Sequence, residues 1–212
     1  MFDEIEVRKV EGARALSRFI ELPLSLPDQR PNGVPPLIMD ERELHDPAKN
    51  PQLAACTVER WIAWRGGRPV GRIMGIVHHG YNARLAERTA RFFQLASVRD
   101  FRVVHALIAR VEAWARDQGM DRMIGPFGFS DKDPQGLQVE GFEHLPVIAT
   151  PSDPSWLPAM VEACGYTPFE GMVSYRMDIP DQLPESYSAI ADRCLQGLGL
   201  HRVPIHNKGA LK

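Results

Sequence analysis

The run from Ala90 to Phe129, ARFFQLASVRDFRVVHALIARVEAWARDQGMDRMIGPFGF, leaves few folds open to this chain. It reads as strand, helix, strand. Phe92, Phe93, Leu95 and Ala96 form a short apolar run. Phe101, Val104, Leu107, Ile108, Val111, Trp114 and Ala115 then recur three and four residues apart, one face of a helix of about five turns. Asp100 is placed to cap the first amides, and Gly119 stands where a helix end favours a left-handed residue. Met123, Ile124 and Phe127 rebuild an apolar strand, punctuated by Gly125-Pro126 and Gly128. Two strands joined through a helix form a parallel pair with a right-handed crossover. The helix N-terminus, Val98 to Arg102, then falls at the C-terminal edge of the first strand. Its unpaired amides favour an anion, and Arg99 and Arg102 add positive charge. Many such units bind nothing, so this geometry alone leaves function open.

Composition narrows the class. A chain of 212 residues suits one domain of ordinary size, or one domain with a tail. An apolar fraction of 44% is enough for a real core. The net charge is −2 and the basic residues are scattered, so no nucleic-acid partner is expected. No apolar run approaches the roughly 18–20 residues that cross a bilayer, so no membrane partner is expected. The start, MFDEIEVRKV, has acids where a signal peptide needs basic residues. Cys56, Cys164 and Cys194 are odd in number and widely spaced, which points to a reducing, cytoplasmic setting without disulfides.

Read in order, Glu4 to Val10 alternates as a first strand and Glu11 to Glu21 is helical. Leu22 to Pro51 is proline-rich but apolar enough to be ordered, with a helical turn near Met39 to Leu44. Val58 to Trp64 and Pro69 to His79 are strands joined at Gly66-Gly67, with Gly71 and Gly75 hinting at a bulge or a close backbone approach. Gly80 to Arg88 reads as a polar connection. After Phe129 the chain turns polar. A helix follows, beginning either as a turn at Pro154 or at Pro158, and ends at Gly165. Met172 to Ile179 alternates as a late strand, and Glu185 to Leu195 is an amphipathic helix. Residues 1–180 thus form one domain and residues 181–212 a C-terminal helix and tail.

That order, with its punctuation, resembles the GNAT superfamily of acyl-CoA-dependent N-acyltransferases. The stretches FIELPLSL…VPPL…NP (Phe19 to Pro51), PVGRIMGIV, RFFQL, EAWARDQGM, IGPFGFSDKDPQGLQVEGFEHLP and ACGY resemble, in the same order, those of a bacterial GNAT-like family. The likeness covers about residues 1–180. Members of that family are often longer, with a second GNAT-like half, and this chain resembles the first. The resemblance implies an α/β (α+β) fold: a mixed, mostly antiparallel central sheet with a βαβ crossover and helices on both faces. It also implies acetyl-CoA or another acyl-CoA as co-substrate and a small-molecule amine as acceptor. CoA would lie between the strand at Arg91 to Ser97 and the strand at Asp121 to Phe127, its pyrophosphate facing Ser97, Val98, Arg99 and Arg102.

Two features depart from the family pattern. The junction Ser97-Val98-Arg99-Asp100-Phe101-Arg102 lacks the glycines that let a backbone approach phosphates, and Asp100 puts a negative charge there. The position of the usual acid tyrosine, four residues before Gly165, holds Val161.

Candidate acceptor-side residues crowd the loop after the second strand of the crossover, where open α/β sheets bind ligands. Ser130, Asp131 and His144 are candidates for binding the amine. Glu140 is a candidate base, and Tyr175 a candidate acid if it faces the cleft. The same side chains would equally cap turns in a solvated loop, and a buried Tyr175 would equally be packing. His78-His79 lies on a strand, with its rings on opposite faces, and no metal is expected. Trp61 and Trp64 point to opposite faces of their strand, one of them into the core. Two functions follow: an N-acyltransferase, or a catalytically degenerate GNAT-fold binding or dimerisation module without CoA chemistry. The edge of the late strand predicts a homodimer.

Overall fold

In the computed structural model, residues 4–27, 30, 32–148, 150–182, 184–197, 203 and 206 are described. Two compact units divide the chain, Met1–Glu170 and Gly171–Lys212, ahead of the boundary expected at residue 180. The first unit is built on a five-stranded sheet of order β1-β2-β3-β4-β5: β1 (Ile5–Lys9), β2 (Cys56–Arg65), β3 (Arg68–His78), β4 (Thr89–Ser97) and β5 (Arg122–Ile124). Neighbours are antiparallel except β4 and β5, which run parallel through the crossover helix α4 (Phe101–Asp117); helices α1 (Gly12–Ser25), α2 (Ile38–Leu44) and α3 (His79–Leu85) precede it in the chain. This is the mixed, mostly antiparallel sheet the sequence predicts. Gly66 and Gly67, both with positive φ, close the β2–β3 hairpin.

Strand alternation divides the core into two layers. On one face Trp61, Ala63, Ile73 and Phe92 meet Val104, Leu107, Val111 and Trp114 of α4, and Leu157 and Val161 of α5 (Leu157–Ala163). On the other, Ile62, Met74, Ile76 and Phe93 meet Phe19, Ile20 and Leu22 of α1. Trp61 is the core tryptophan, edge-on to Trp114 at 5.7 Å between ring centroids. Trp64 points the other way and stacks against the guanidinium groups of Arg8 and Arg18.

Gly75 marks a close approach, and Gly71 a close approach beside a bulge: Ala63 pairs with Gly71 and Trp64 with Pro69, which leaves Val70 as the extra residue of β3. A Cβ on Gly75 would lie 2.5 Å from the Trp114 ring, and one on Gly71 2.9 Å from Leu107 Cδ1. Their missing side chains let α4 rest on β3. A second bulge lies in β4: its register with β3 slips between Arg72 and Met74, and Gln94 adopts φ +50°.

Helix α1 contains Pro23. A proline has no amide to give the carbonyl four residues earlier, here that of Phe19. Arg72 of β3 supplies the donor instead: its Nη1 donates to Phe19 O at 2.8 Å and to Ile20 O at 3.2 Å.

Several elements differ from the sequence reading. The polar connection after β3 is helix α3. His78 caps it by accepting from the Tyr81 amide at 3.2 Å, and His79 bonds Thr57 Oγ1 at 2.9 Å, so the two rings lie at a strand–helix junction. Pro154 to Leu157 is a separate turn, and α5 starts at Leu157, which puts Pro158 in the first turn where its missing amide does no harm. The second unit holds α6 (Glu185–Gly197), but Met172 to Ile179 is not a strand: residues 171–180 carry no regular secondary structure. Alternation marks a strand only where a neighbouring ladder pairs it, and these side chains face solvent, Tyr175 at 90% exposure. Among the described residues no helix is long and apolar enough to cross a membrane.

The contact at Gly75 is testable. Gly75→Ala pushes a methyl into Trp114 and should destabilise the first unit by about 1–3 kcal/mol, read as a lower urea midpoint, whereas Gly80→Ala meets only an ordinary contact, His78 Cε1 at 3.5 Å.

Candidate functional site

Two features frame β4. The first is the β4–α4 turn. Asp100 accepts from the Arg102 amide at 3.0 Å, from Arg102 Nη2 at 2.8 Å and from Arg65 Nη1 at 2.6 Å. These donors, Arg102 foremost, hold its carboxyl down at about 2. The helix N-terminus therefore carries an anion already, one that belongs to the chain. Of the residues expected at a pyrophosphate, Ser97 is buried and donates to Val98 O at 2.9 Å, and the Val98 amide donates to Val70 O at 2.9 Å. Arg102 is engaged with Asp100, and Arg99 is exposed.

The second feature is a buried polar chain on the α1/α2 face. Arg60 Nε donates to His45 Nδ1 at 2.9 Å. A guanidinium only donates, so Nδ1 accepts and the ring proton sits on Nε2. Nε2 lies 3.1 Å from Gln94 Oε1, which accepts it. Gln94 Nε2 in turn donates to Glu41 Oε2 at 2.9 Å, and Arg72 Nη2 reaches the same oxygen at 3.5 Å. Every link is oriented, and the sequence ends on one carboxylate. His45 is 4% exposed and Arg72 5%. Burial, with Arg60 and Arg72 adding to it, holds the His45 imidazole down at about 3, so it is neutral at ordinary pH. Burial also lowers both arginines to about 10, which leaves them charged. Phe19 closes the group, edge-on to His45 at 5.5 Å and under Arg72 at 4.9 Å.

The predicted loop residues do not gather. Ser130 and Asp133 close a turn: the Ser130 amide donates to Asp133 Oδ2 at 3.0 Å, and the Lys132 amide to Ser130 Oγ at 3.3 Å. Asp131 and Glu140 are exposed, and exposed His144 pairs with Glu143 at 3.3 Å. Tyr175 belongs to the other unit and faces solvent. The loop itself is anchored by Arg91, buried between the Tyr81 and Phe127 rings and donating to Gly128 O at 2.8 Å.

Glu41, His45, Arg60, Arg72 and Gln94 escaped the sequence reading. Their signal was there: Gln94 interrupts the apolar run RFFQL, and Arg60 and Arg72 stand at inward positions of alternating strands. A further tyrosine escaped too. Tyr166, directly after Gly165, lies edge-on to Phe92 at 5.3 Å and donates to Glu112 Oε1 at 3.1 Å. Burial and that carboxylate raise its phenol well above the ordinary value, so it keeps its proton. Among the described residues no group of three or more His, Cys, Asp or Glu is arranged to hold a metal.

The topology is that of the GNAT fold the motifs resemble: an antiparallel meander, then a parallel crossover through α4. No protein-family profile matches the chain. It is 33% identical over 160 residues to protein YghO of Escherichia coli K12, covering 76% of this chain and 41% of that protein. It is 31% identical over 183 residues to a bacterial ceramide synthase of Caulobacter vibrioides, covering 86% and 48% respectively. The chain thus spans less than half the length of these curated relatives. A tandem GNAT protein from the clavulanic acid biosynthesis pathway superposes with a TM-score of 0.46 at 20% identity, covering 76% of this chain and 43% of that one.

The Asp100 cap predicts a stability effect. Asp100→Ala should lower stability by about 1 kcal/mol, a fall in Tm of about 2–4 °C, and Asp100→Asn, which keeps a capping oxygen, by less. Equal thermal midpoints for native and Asp100→Ala would contradict the cap.

Proposed function

We propose that this chain is an N-acyltransferase domain that moves a fatty acyl group from a coenzyme A thioester to the amine of a long-chain amino alcohol. The observation that carries the reading is the 31% identity, over 86% of the chain, with a bacterial ceramide synthase. A ceramide is the amide of a fatty acid and a long-chain amino alcohol, so a synthase of that name makes an amide bond.

The reaction needs little beyond positioning and proton transfer. The amine nitrogen attacks the thioester carbonyl carbon, the C–S bond breaks, and the nitrogen gives up a proton as the sulfur gains one. The products are the amide and the free thiol. The geometry supports a donor arm beside β4. Strands β4 and β5 pair only over Thr89–Arg122, Ala90–Met123 and Arg91–Ile124, and β4 continues to Ser97 beyond the end of β5. The C-terminal end of such a strand pair is where open sheets take ligands.

One observation favours a second reading. Asp100 occupies the helix N-terminus where phosphates would bind, as expected of a module that has lost CoA chemistry. A homodimer also remains part of the proposal, since Leu37, Met39, Leu145 and Ile148 of the first unit are apolar and largely exposed. A clean monomer in sedimentation would remove it.

Palmitoyl-CoA and a long-chain 2-amino-1,3-diol, incubated with the protein, should yield the corresponding amide by mass spectrometry with one free thiol per amide. No amide, together with no thermal shift at a CoA concentration about 100 times that expected to half-saturate, where bound ligand would add about 2.7 kcal/mol, would favour the second reading. A CoA shift that grows in Asp100→Asn would place the phosphates at the turn.

A further inference from the structure

We infer that Glu41 is the general base of the acyl transfer, held in place by the oriented chain Arg60–His45–Gln94. The inference rests on the N-acyltransferase reading and assigns the acceptor side of that site.

Three observations meet at this carboxylate. Gln94 is held in a left-handed conformation inside a strand, a strained geometry that persists only where the surroundings enforce it. The bulge it makes turns both Phe93 and Gln94 toward the α1/α2 face, whereas regular alternation would send Gln94 to the α4 side. Strain of this kind in the middle of β4, just beyond the last β4–β5 pair, serves to present the Gln94 amide to Glu41.

The donors also converge on one oxygen. Gln94 Nε2 and Arg72 Nη2 both reach Oε2, while among the described residues no hydrogen bond goes to Oε1. The Glu41 side chain is 16% exposed, so the group is fixed from within yet open on one side. Glu41 is the counter-ion of buried Arg72, yet only its Oε2 is used for that; the chain ends on a carboxylate whose other oxygen is open, next to the strand along which the thioester is proposed to lie.

The chemistry follows from the position. A long-chain amine is protonated near neutral pH and cannot attack until it loses a proton. Glu41 Oε1 accepts the ammonium proton first, which frees the nitrogen lone pair. The neutral amine then attacks the thioester carbonyl, the C–S bond breaks, and the leaving thiolate takes the second nitrogen proton to become the thiol. Ammonium and thioester thus go to amide, thiol and one proton, which Glu41 passes to solvent. Gln94 and His45 act as positioning residues: they keep the carboxylate in one rotamer and take no proton themselves.

The test uses the full chain with palmitoyl-CoA and two acceptors, a long-chain alkylamine and a long-chain alkoxyamine, whose nitrogen is largely unprotonated at neutral pH. Glu41→Gln should lower kcat for the alkylamine about 100-fold or more with its KM little changed, and lower kcat for the alkoxyamine far less. Glu41→Asp, which keeps the charge opposite Arg72 and so the fold, should retain an intermediate rate. Gln94→Ala should lose activity with both KM and kcat affected. An equal loss of kcat on both acceptors, or a folded Glu41→Gln with native kcat, would overturn the assignment of Glu41 while leaving the N-acyltransferase reading standing. A native protein that acylates neither amine would overturn both.

Discussion

The guanidinium of Arg72 is the contact on which the rest of the first unit depends. It is a buried charge in the middle of β3, tolerated because both terminal nitrogens are engaged, although its Nε has no hydrogen-bond partner among the described residues. Pro23 gives it its purpose. The proline breaks the hydrogen bonding of α1 one turn before the helix ends, leaving the Phe19 carbonyl to be satisfied from outside. Arg72 satisfies it, donates to the next carbonyl as well, lies over the Phe19 ring and reaches Glu41. One side chain thus ties β3 to α1 and α2. Loss of the guanidinium would leave the Phe19 carbonyl without a donor and take one of two donors from the Glu41 carboxylate, a larger penalty than the loss of either bond alone.

From that anchor, β4 serves two unlike surfaces. Its α4 side is apolar and tightly packed, with Phe92 against Tyr166 and the helix pressed onto glycines of β3. Its other side, after the bulge, is polar and oriented toward Glu41. The βαβ turn at its end, the place where a phosphate would be sought first, is closed by Asp100 and two arginines. The charge that invites an anion and the charge that fills the place come from the same short segment. The chemistry proposed here therefore lies on the bulged face of the strand rather than at the helix N-terminus.

Much of the fold was legible in the sequence, because periodicity and punctuation report burial directly. The crossover helix, the double-glycine hairpin and the opposite facing of Trp61 and Trp64 follow from spacing alone. The late strand at Met172 to Ile179 was misread because alternation records side-chain pattern and not the presence of a partner to pair with. The site was harder. Polar loop residues such as Ser130 and Asp131 attract attention, yet they cap turns. Glu41 and His45 stand one helical turn apart, but Gln94 is far from both in the chain and meets them only because a one-residue bulge, invisible in composition, rotates it to their side. The readable clue was negative: a glutamine and two arginines at positions where the strands should be apolar.

The oriented chain of hydrogen bonds is most directly tested at its centre. Nitrogen-15 NMR of the His45 ring reports both its charge and the site of its proton. The account predicts a neutral ring, protonated on Nε2, that does not titrate between pH 8 and 5, because burial and the neighbouring arginines hold its pKa at about 3. Below the ordinary histidine pKa of about 6.5 this depressed value also makes folding progressively less favourable as pH falls, since only the unfolded chain takes up the proton. A ring that titrates near its ordinary value, or carries its neutral-state proton on Nδ1, would contradict the arrangement that delivers Gln94 to Glu41.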